Sequence, residues 1–230
     1  MSWEKERIEA VYRERSGLSR RYSLEIPGNE FNHQNLCVAL RGLLAVAFAD
    51  LSTVKLLDVG CGELFWPEAI IEMGCARNNC FGTDILHWRL VKGREEGRRV
   101  SAVTSSAMEL PFASGSLDLV TQFTLMTSVL DNALRRNIAD EMRRVLKPGG
   151  YILWYDFRYN NPFNQHTRAI GRAEVGHLFP GMPIRTRSIT LLPPLARKLK
   201  GPLVPLLKIL NFFPIMRSHN VALIGPKEAS

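Results

Sequence analysis

The feature that most constrains this chain is an alternation. Between residues 54 and 155, short apolar runs that end at turns or polar residues take turns with segments of helical period. The run 54–59 enters Gly60, Cys61 and Gly62; the run 79–83 precedes Asp84; Leu117–Phe123 follows the turn Ser114-Gly115-Ser116; and 151–155 follows Lys147-Pro148-Gly149-Gly150. Between them lie 65–73, with Pro67 suited to a first helical turn and Gly74 after its end, then 86–96, then 131–146 with Leu134, Ile138, Met142 and Val145 at intervals of three to four. Strands buried on both faces read as continuous apolar runs, so the pattern predicts an α/β fold: a Rossmann-like, doubly wound, mostly parallel sheet with helices on both faces. Ligands of such sheets sit beyond the carboxyl ends of the strands, where the strand order switches. That rim carries Gly60, Cys61 and Gly62, Asp84, residues 105–108 and residues 122–124.

At 230 residues, 46% hydrophobic and 23% charged, the chain suits one full-sized globular domain. Residues 1–7 are charged and lack the apolar stretch of a signal peptide, and no run of about 18 apolar residues predicts a membrane span. The cysteines Cys37, Cys61, Cys75 and Cys80 do not form a metal-ligand pattern, so no metal is expected and reduced thiols in a cytoplasmic protein are the simpler reading. The net charge of +8 is unevenly placed. Residues 1–150 balance at 19 basic and 19 acidic side chains, whereas 151–230 hold 11 basic ones against Asp156, Glu174 and Glu228, and 175–227 contain no acid. Such asymmetry points to an anionic partner: an acidic substrate, a phospholipid surface or a nucleic acid.

The turn after the first predicted strand lets backbone approach a ligand closely. A nicotinamide-binding fingerprint would place a third glycine three residues after Gly62, where Phe65 stands, which disfavours a dehydrogenase. Asp84 lies 22 residues beyond Gly62, at the spacing of a carboxylate that accepts from ribose hydroxyls; its competing role is to cap a helix. In order along the chain, Leu56-Leu57-Asp58-Val59-Gly60-Cys61-Gly62, Gly82-Thr83-Asp84, Ala107-Met108-Glu109-Leu110-Pro111-Phe112, Leu117-Asp118-Leu119-Val120 and Arg144-Val145-Leu146-Lys147-Pro148-Gly149-Gly150 resemble the class I S-adenosylmethionine-dependent methyltransferase family, over residues 54–156. The resemblance implies S-adenosyl-L-methionine as cofactor and S-adenosyl-L-homocysteine as product. It implies Gly60, Cys61 and Gly62 beside the methionine part, with Asp58 holding the loop and the cofactor's amino group, and Asp84 on the ribose. Ile85 would lie against one adenine face, Ser106, Ala107 and Met108 along the other, and Gln122 beside the methionine moiety. Two positions depart from the family: Leu64 stands where a third loop glycine is usual, and Ser106 where a carboxylate often meets the adenine amino group.

The resemblance divides the single expected domain into N-terminal helices in 1–51, a cofactor-binding core in 52–156 and an acceptor side in 157–230. The first part reads as helices over 4–15 and 35–51, separated by a polar, turn-rich stretch with Pro27-Gly28-Asn29. Methyl transfer to a hydroxyl needs a base within reach. Asp156, at the carboxyl end of a strand, is the first candidate and His166 the second. Residues 185–191 and 220–224 read as strands, the antiparallel C-terminal pair usual in the family. Between them 192–218 is a helical insertion broken by Pro193, Pro194, Pro202, Pro205 and Pro214, apolar and basic, suited to a lid, a core cover or a peripheral contact with anionic lipid at the inner face of a membrane. The expected function is methyl transfer to a hydroxyl of an anionic or membrane-proximal acceptor. The arrangement is similar to small bacterial methyltransferases of cell-surface glycan synthesis, which suggests a lipid-linked or nucleotide-linked glycan. The alternatives are a natural-product or lipid-quinone O-methyltransferase and a scaffold without turnover. A nucleic-acid partner is not expected, because Gln122-Phe123-Thr124-Leu125 replaces the Asn/Asp-Pro-Pro-aromatic tetrapeptide of amino-directed enzymes.

Overall fold

Adjacent leucines in the first strand point to opposite faces of a sheet, and each meets a different layer of helices. The computed structural model describes residues 2–16, 21, 23–162 and 164–228. Within them β1 (Leu56–Val59), β2 (Cys80–Asp84), β3 (Ser101–Thr104), β4 (Leu117–Phe123), β5 (Leu146–Phe157), β6 (Ile184–Leu191) and β7 (Arg217–Ile224) form one sheet in the order β3-β2-β1-β4-β5-β7-β6. β1 to β5 pair in parallel, and β7 runs antiparallel between β5 and β6. The order reverses between β1 and β4, so the switch point falls where the sequence placed the ligand rim. This is the doubly wound sheet with an antiparallel C-terminal pair that the alternation and the resemblance predict.

Leu57, Val59, Val120, Ile152 and Trp154 pack on one face, under α6 (Asn132–Val145) and α7 (Arg172–Leu178). Leu56, Leu119, Leu153 and Tyr155 pack on the other, under α2 (Pro27–Ala47), α3 (Phe65–Glu72) and α4 (His87–Glu95). The remaining helices are α1 (Ser2–Ser16), α5 (Leu125–Ser128) and, within the insertion, α8 (Pro193–Ala196) and α9 (Leu206–Phe212). A third cluster, Leu191, Ala196, Leu199 and Leu207 with Phe31, ties the insertion to the start of α2.

Three elements differ from the sequence reading. α2 begins at Pro27, eight residues earlier, because Pro27 and Gly28 start a helix here and do not make a turn. Pro27 occupies the first helical turn, and a Cβ on Gly28 would lie 2.2 Å from the Ala196 carbonyl oxygen, so only glycine allows this contact with α8. β3 is a largely exposed edge strand without an apolar run to announce it. Lys147 to Gly150, read as a helix stop, form the start of β5, where Lys147 Nζ meets Asp118 Oδ1 at 2.7 Å.

Leu64 resolves one departure from the family pattern. Its backbone is left-handed, at φ 65°, where glycine would be free of strain, yet its side chain is fully buried. The left-handed conformation costs a leucine roughly 1–2 kcal/mol. Burying the same side chain returns about 1.5–3 kcal/mol. The two nearly cancel, so the loop keeps the shape that a glycine would give it.

Candidate active site

A single cavity of about 980 Å³ runs from the switch point, across the ends of β1, β2 and β4, to the inner face of α2 and the insertion. Such a volume can hold more than one small molecule.

At one end the loop after β1 is tied to the end of β2. The Gly60 and Cys61 amides both donate to the Thr83 carbonyl, at 2.8 and 2.9 Å, and the Gly62 amide donates to Asp84 Oδ2 at 2.8 Å. Asp84 Oδ1 accepts from the Leu86 amide at 2.8 Å, while α4 itself has no side-chain cap. The helix-capping reading of Asp84 is therefore set aside: its carboxylate joins two loops, and it lines the cavity. Arg89 lies 3.5 Å from Asp84 Oδ2, and its guanidinium stacks on the Tyr12 ring at 4.3 Å. Gly60 and Gly62 have φ of 73° and 54°, and a Cβ on Gly62 would fall 2.2 Å from Arg89 Nη2. Cys61, Ile85, Ser106, Ala107 and Met108 all line this end, and Ser106 Oγ accepts from the Met108 amide at 3.2 Å.

Asp58 lines the cavity although its side chain is almost wholly buried, and it accepts from Thr121 Oγ1 at 2.6 Å. Burial pushes its carboxyl up to about 8, with the Thr121 hydrogen bond opposing and the nearby Asp84 charge adding to the rise. An added cation would draw Asp58 into its charged form.

α1 closes this end. Glu4, Lys5, Ile8 and Tyr12 face the cavity, Arg7 Nη2 donates to the Ser128 carbonyl at 2.5 Å, and Glu4 Oε1 accepts from the Leu130 amide at 3.3 Å.

Three residues proposed from the sequence stand elsewhere. Gln122 is fully buried and lies outside the cavity: Nε2 donates to Asp156 Oδ2 at 3.0 Å, and Oε1 accepts from the Leu125 amide at 2.9 Å. It shapes the loop after β4, whose Phe123, Thr124 and Leu125 form the cavity wall. Asp156 also lies outside the cavity, with Oδ1 held by Thr127 Oγ1 at 2.6 Å and Oδ2 by Gln122. Burial raises its carboxyl to about 7, against these hydrogen bonds. It braces the loop and does not reach an acceptor, because a strand-end residue can point beneath the rim as readily as over it. His166 sits on an exposed loop away from the cavity.

The far end is aromatic: Phe65, Trp66, Phe123, Tyr155, Phe157, His33 and His219 line it. Trp66 stacks on Phe123 at 4.5 Å, and the imidazole of His219 lies parallel to Tyr155 at 4.7 Å with Phe157 at 4.0 Å. His219, which the sequence reading missed, has a defined tautomer by the logic of its partners. Because Ser218 Oγ can donate its one proton to the Thr190 carbonyl at 3.1 Å, we assign the hydrogen of its 2.8 Å contact with His219 to Nδ1. Nε2 is left as a bare acceptor, with no partner among the described residues. Burial lowers the imidazole pKa to about 3, so the ring is neutral near pH 7. Thr124 and Thr190, both on the cavity wall, hold left-handed backbones at φ 59° and 68°, a conformation β-branched residues adopt under constraint and often near sites.

Thr83 Oγ1, Trp88 Nε1 and Ser105 Oγ at the first end, and Asn32 Oδ1 at the second, are buried atoms of lining residues with no hydrogen-bond partner among the described residues. Such groups are rare in native proteins. The first three, with Asp84 and the glycine loop, suit a ribose-bearing nucleoside with a charged tail.

Known proteins agree. Residues 57–154 match a family described as a methyltransferase domain. The demethylmenaquinone methyltransferase of Bacillus velezensis is 34% identical over 104 residues, 43% of this chain and 43% of that enzyme, and its counterpart in Staphylococcus haemolyticus is 35% identical over 102 residues, 43% and 41%. The chain thus spans less than half the length of the curated relatives it matches. Among solved structures, geranyl diphosphate C-methyltransferase of Streptomyces coelicolor, crystallised with S-adenosyl-L-homocysteine, superposes with a TM-score of 0.59 at 16% identity, covering 81% of this chain and 76% of that one. The [4+2]-cyclase SpnF gives 0.61 at 16% identity, over 83% and 82%; at these identities the likeness is one of fold. Sheet order, glycine cradle, Asp84 and the sequence match agree in likening residues 57–154 to a methyltransferase domain.

Proposed function

We propose that the protein transfers a methyl group to a small, flat, hydroxylated acceptor of the quinol kind, held in the aromatic end of the cavity. The observation that carries this reading is the wall of Phe65, Trp66, Phe123, Tyr155 and Phe157 around the bare Nε2 of His219. This wall offers ring faces to a flat acceptor, with His219 Nε2 as a polar handle. The names of the matched relatives, which act on demethylmenaquinone, support the same class.

S-adenosyl-L-methionine supplies an electrophilic methyl group on a sulfonium. The chain does the rest. Asp84 and the amides of the β1 loop position the nucleoside end, α1 excludes water, and the aromatic wall aligns the acceptor ring for in-line transfer. His219 Nε2 accepts the hydroxyl hydrogen bond. As positive charge reaches the acceptor, that hydroxyl becomes strongly acidic, so an imidazole with a pKa near 3 suffices to take the proton. Methylation at the oxygen is balanced by loss of this hydroxyl proton, whereas methylation at the ring carbon beside it must also release that carbon's hydrogen to restore the aromatic ring; the structure of the product tells which occurs. Leu64 and Ser106, the two departures that favoured a scaffold, leave the cradle intact: Leu64 keeps the loop conformation and Ser106 holds the Met108 amide.

The test is to incubate purified protein with labelled S-adenosyl-L-methionine and either a reduced short-chain naphthoquinone or a lipid-linked glycan. Methylated quinol, identified by mass and NMR, is expected; methylation of the glycan alone would replace this reading with a carbohydrate one.

Asp58 adds a pH signature. In the free protein its carboxyl is protonated below about 8, and the sulfonium and ammonium groups of the cofactor favour its ionised form. Affinity for S-adenosyl-L-methionine should therefore rise between pH 6 and 8, by up to about tenfold per unit. Stability of the free protein takes the opposite sign: the contribution of a carboxyl with a raised folded pKa is full below its unfolded pKa and lost as pH rises through about 8. Calorimetric titrations across that range should show the trend, and Asp58→Asn should flatten it. A wild-type affinity independent of pH would remove Asp58 from the charged part of the site.

A further inference from the structure

The insertion between β6 and β7 buries one side and leaves the other apolar. On α9, Leu207 and Leu210 turn inward to the cluster with Leu191, Ala196 and Leu199. Leu206, Ile209 and Phe212, spaced by three on the same helix, are exposed, as are Leu203 before it and Phe213 and Ile215 after it, with Phe212 at 78% and Ile215 at 69%. Soluble proteins rarely gather this many large apolar side chains on one short surface segment unless something covers them. Lys198, Lys200 and Lys208 are exposed in the same segment, and no acidic residue occurs anywhere in 175–227.

We propose that this face of the insertion docks on an anionic phospholipid surface, with Leu206, Ile209, Phe212 and Ile215 entering the boundary between headgroups and acyl chains. Charge selects this occupant over a second copy of the chain. In a twofold self-association the same basic surface would meet itself, placing Lys208 and its neighbours against like charges. An anionic leaflet offers the complementary charge to these lysines. The contact is interfacial: among the described residues no helix is long and apolar enough to cross a membrane. The same insertion supplies Pro193 and Arg197 to the cavity wall, so docking would bring the acceptor end of the site close to the lipid. This docking rests on the exposed face of the insertion, whatever the acceptor is.

Sedimentation with vesicles of phosphatidylglycerol and phosphatidylcholine in equal parts, against phosphatidylcholine alone, tests it without any measurement of activity. The full chain should bind the anionic vesicles at least about tenfold more tightly, lose binding as salt rises, and lose about tenfold or more on the double substitution Phe212→Ser and Ile215→Ser with its thermal midpoint unchanged. No binding at low salt, equal binding to both compositions, or unchanged binding by the folded double variant overturns the proposal. So does a concentration-dependent dimer in analytical ultracentrifugation that the double substitution abolishes, which would make the face a self-association surface.

Discussion

Replacing Asp84 by alanine should weaken binding of S-adenosyl-L-methionine about 10- to 150-fold in a protein that still folds. The wild-type carboxylate has one oxygen on the Gly62 amide and the other on the Leu86 amide, and it lines the cavity. Hydrogen bonds to a charged group contribute about 1.5–3 kcal/mol each, and 1.4 kcal/mol is a factor of ten. The substitution acts twice, since it removes the acceptor for the ribose hydroxyls and releases the Gly62 amide that shapes the loop. Asp84→Asn separates these effects. It keeps one oxygen for a loop amide but loses the charge, and should fall between wild type and alanine. Calorimetric titration reads the affinity and a thermal melt confirms the fold; an Asp84→Ala protein that melts normally and binds as tightly as wild type would take Asp84 out of the site.

The parts of this molecule legible in the sequence are those that backbone geometry dictates. The glycine turn after β1, Asp84 at the end of β2 and the end of β4 stand in the cavity or at its edge because a parallel sheet leaves little freedom in where its strand ends meet. Asp58, Cys61, Ile85, Ser106, Ala107 and Met108 line the cavity for the same reason. What failed was side-chain direction. Gln122 and Asp156 lie at strand ends on the correct rim, yet they hydrogen-bond to each other beneath it. His219 was invisible for the complementary reason. It sits in a strand read from residue 220 onward, and only the pairing of β7 with β5 sets it beside Phe157 and over Tyr155. The placement of Ser218, whose hydroxyl fixes the tautomer, likewise depends on a partner in β6, Thr190, 28 residues away. Long-range pairing of this kind leaves no local signature in composition or period.

That pairing leads to the second large effect. His219→Phe should keep the stack on Tyr155 and the volume of the wall, and so bind cofactor normally, while lowering methyl transfer to a quinol by about 10²–10⁴-fold, the usual weight of a positioned proton acceptor. A purely structural role would lower turnover equally for all acceptors. A proton-accepting role predicts otherwise: in the phenylalanine variant, acceptors whose hydroxyl is already ionised at the assay pH should lose far less, because no proton remains to be taken. Ser218→Ala gives an independent check. With no hydroxyl to receive the Nδ1 proton, the imidazole is free to place its hydrogen on Nε2, and the face toward the acceptor turns from acceptor to donor in part of the population. Turnover should then fall while the stacked ring stays in place. If His219→Phe lowers turnover by the same factor for weakly and strongly acidic acceptors, the ring only packs; if the loss shrinks as acceptor acidity rises, Nε2 takes the proton.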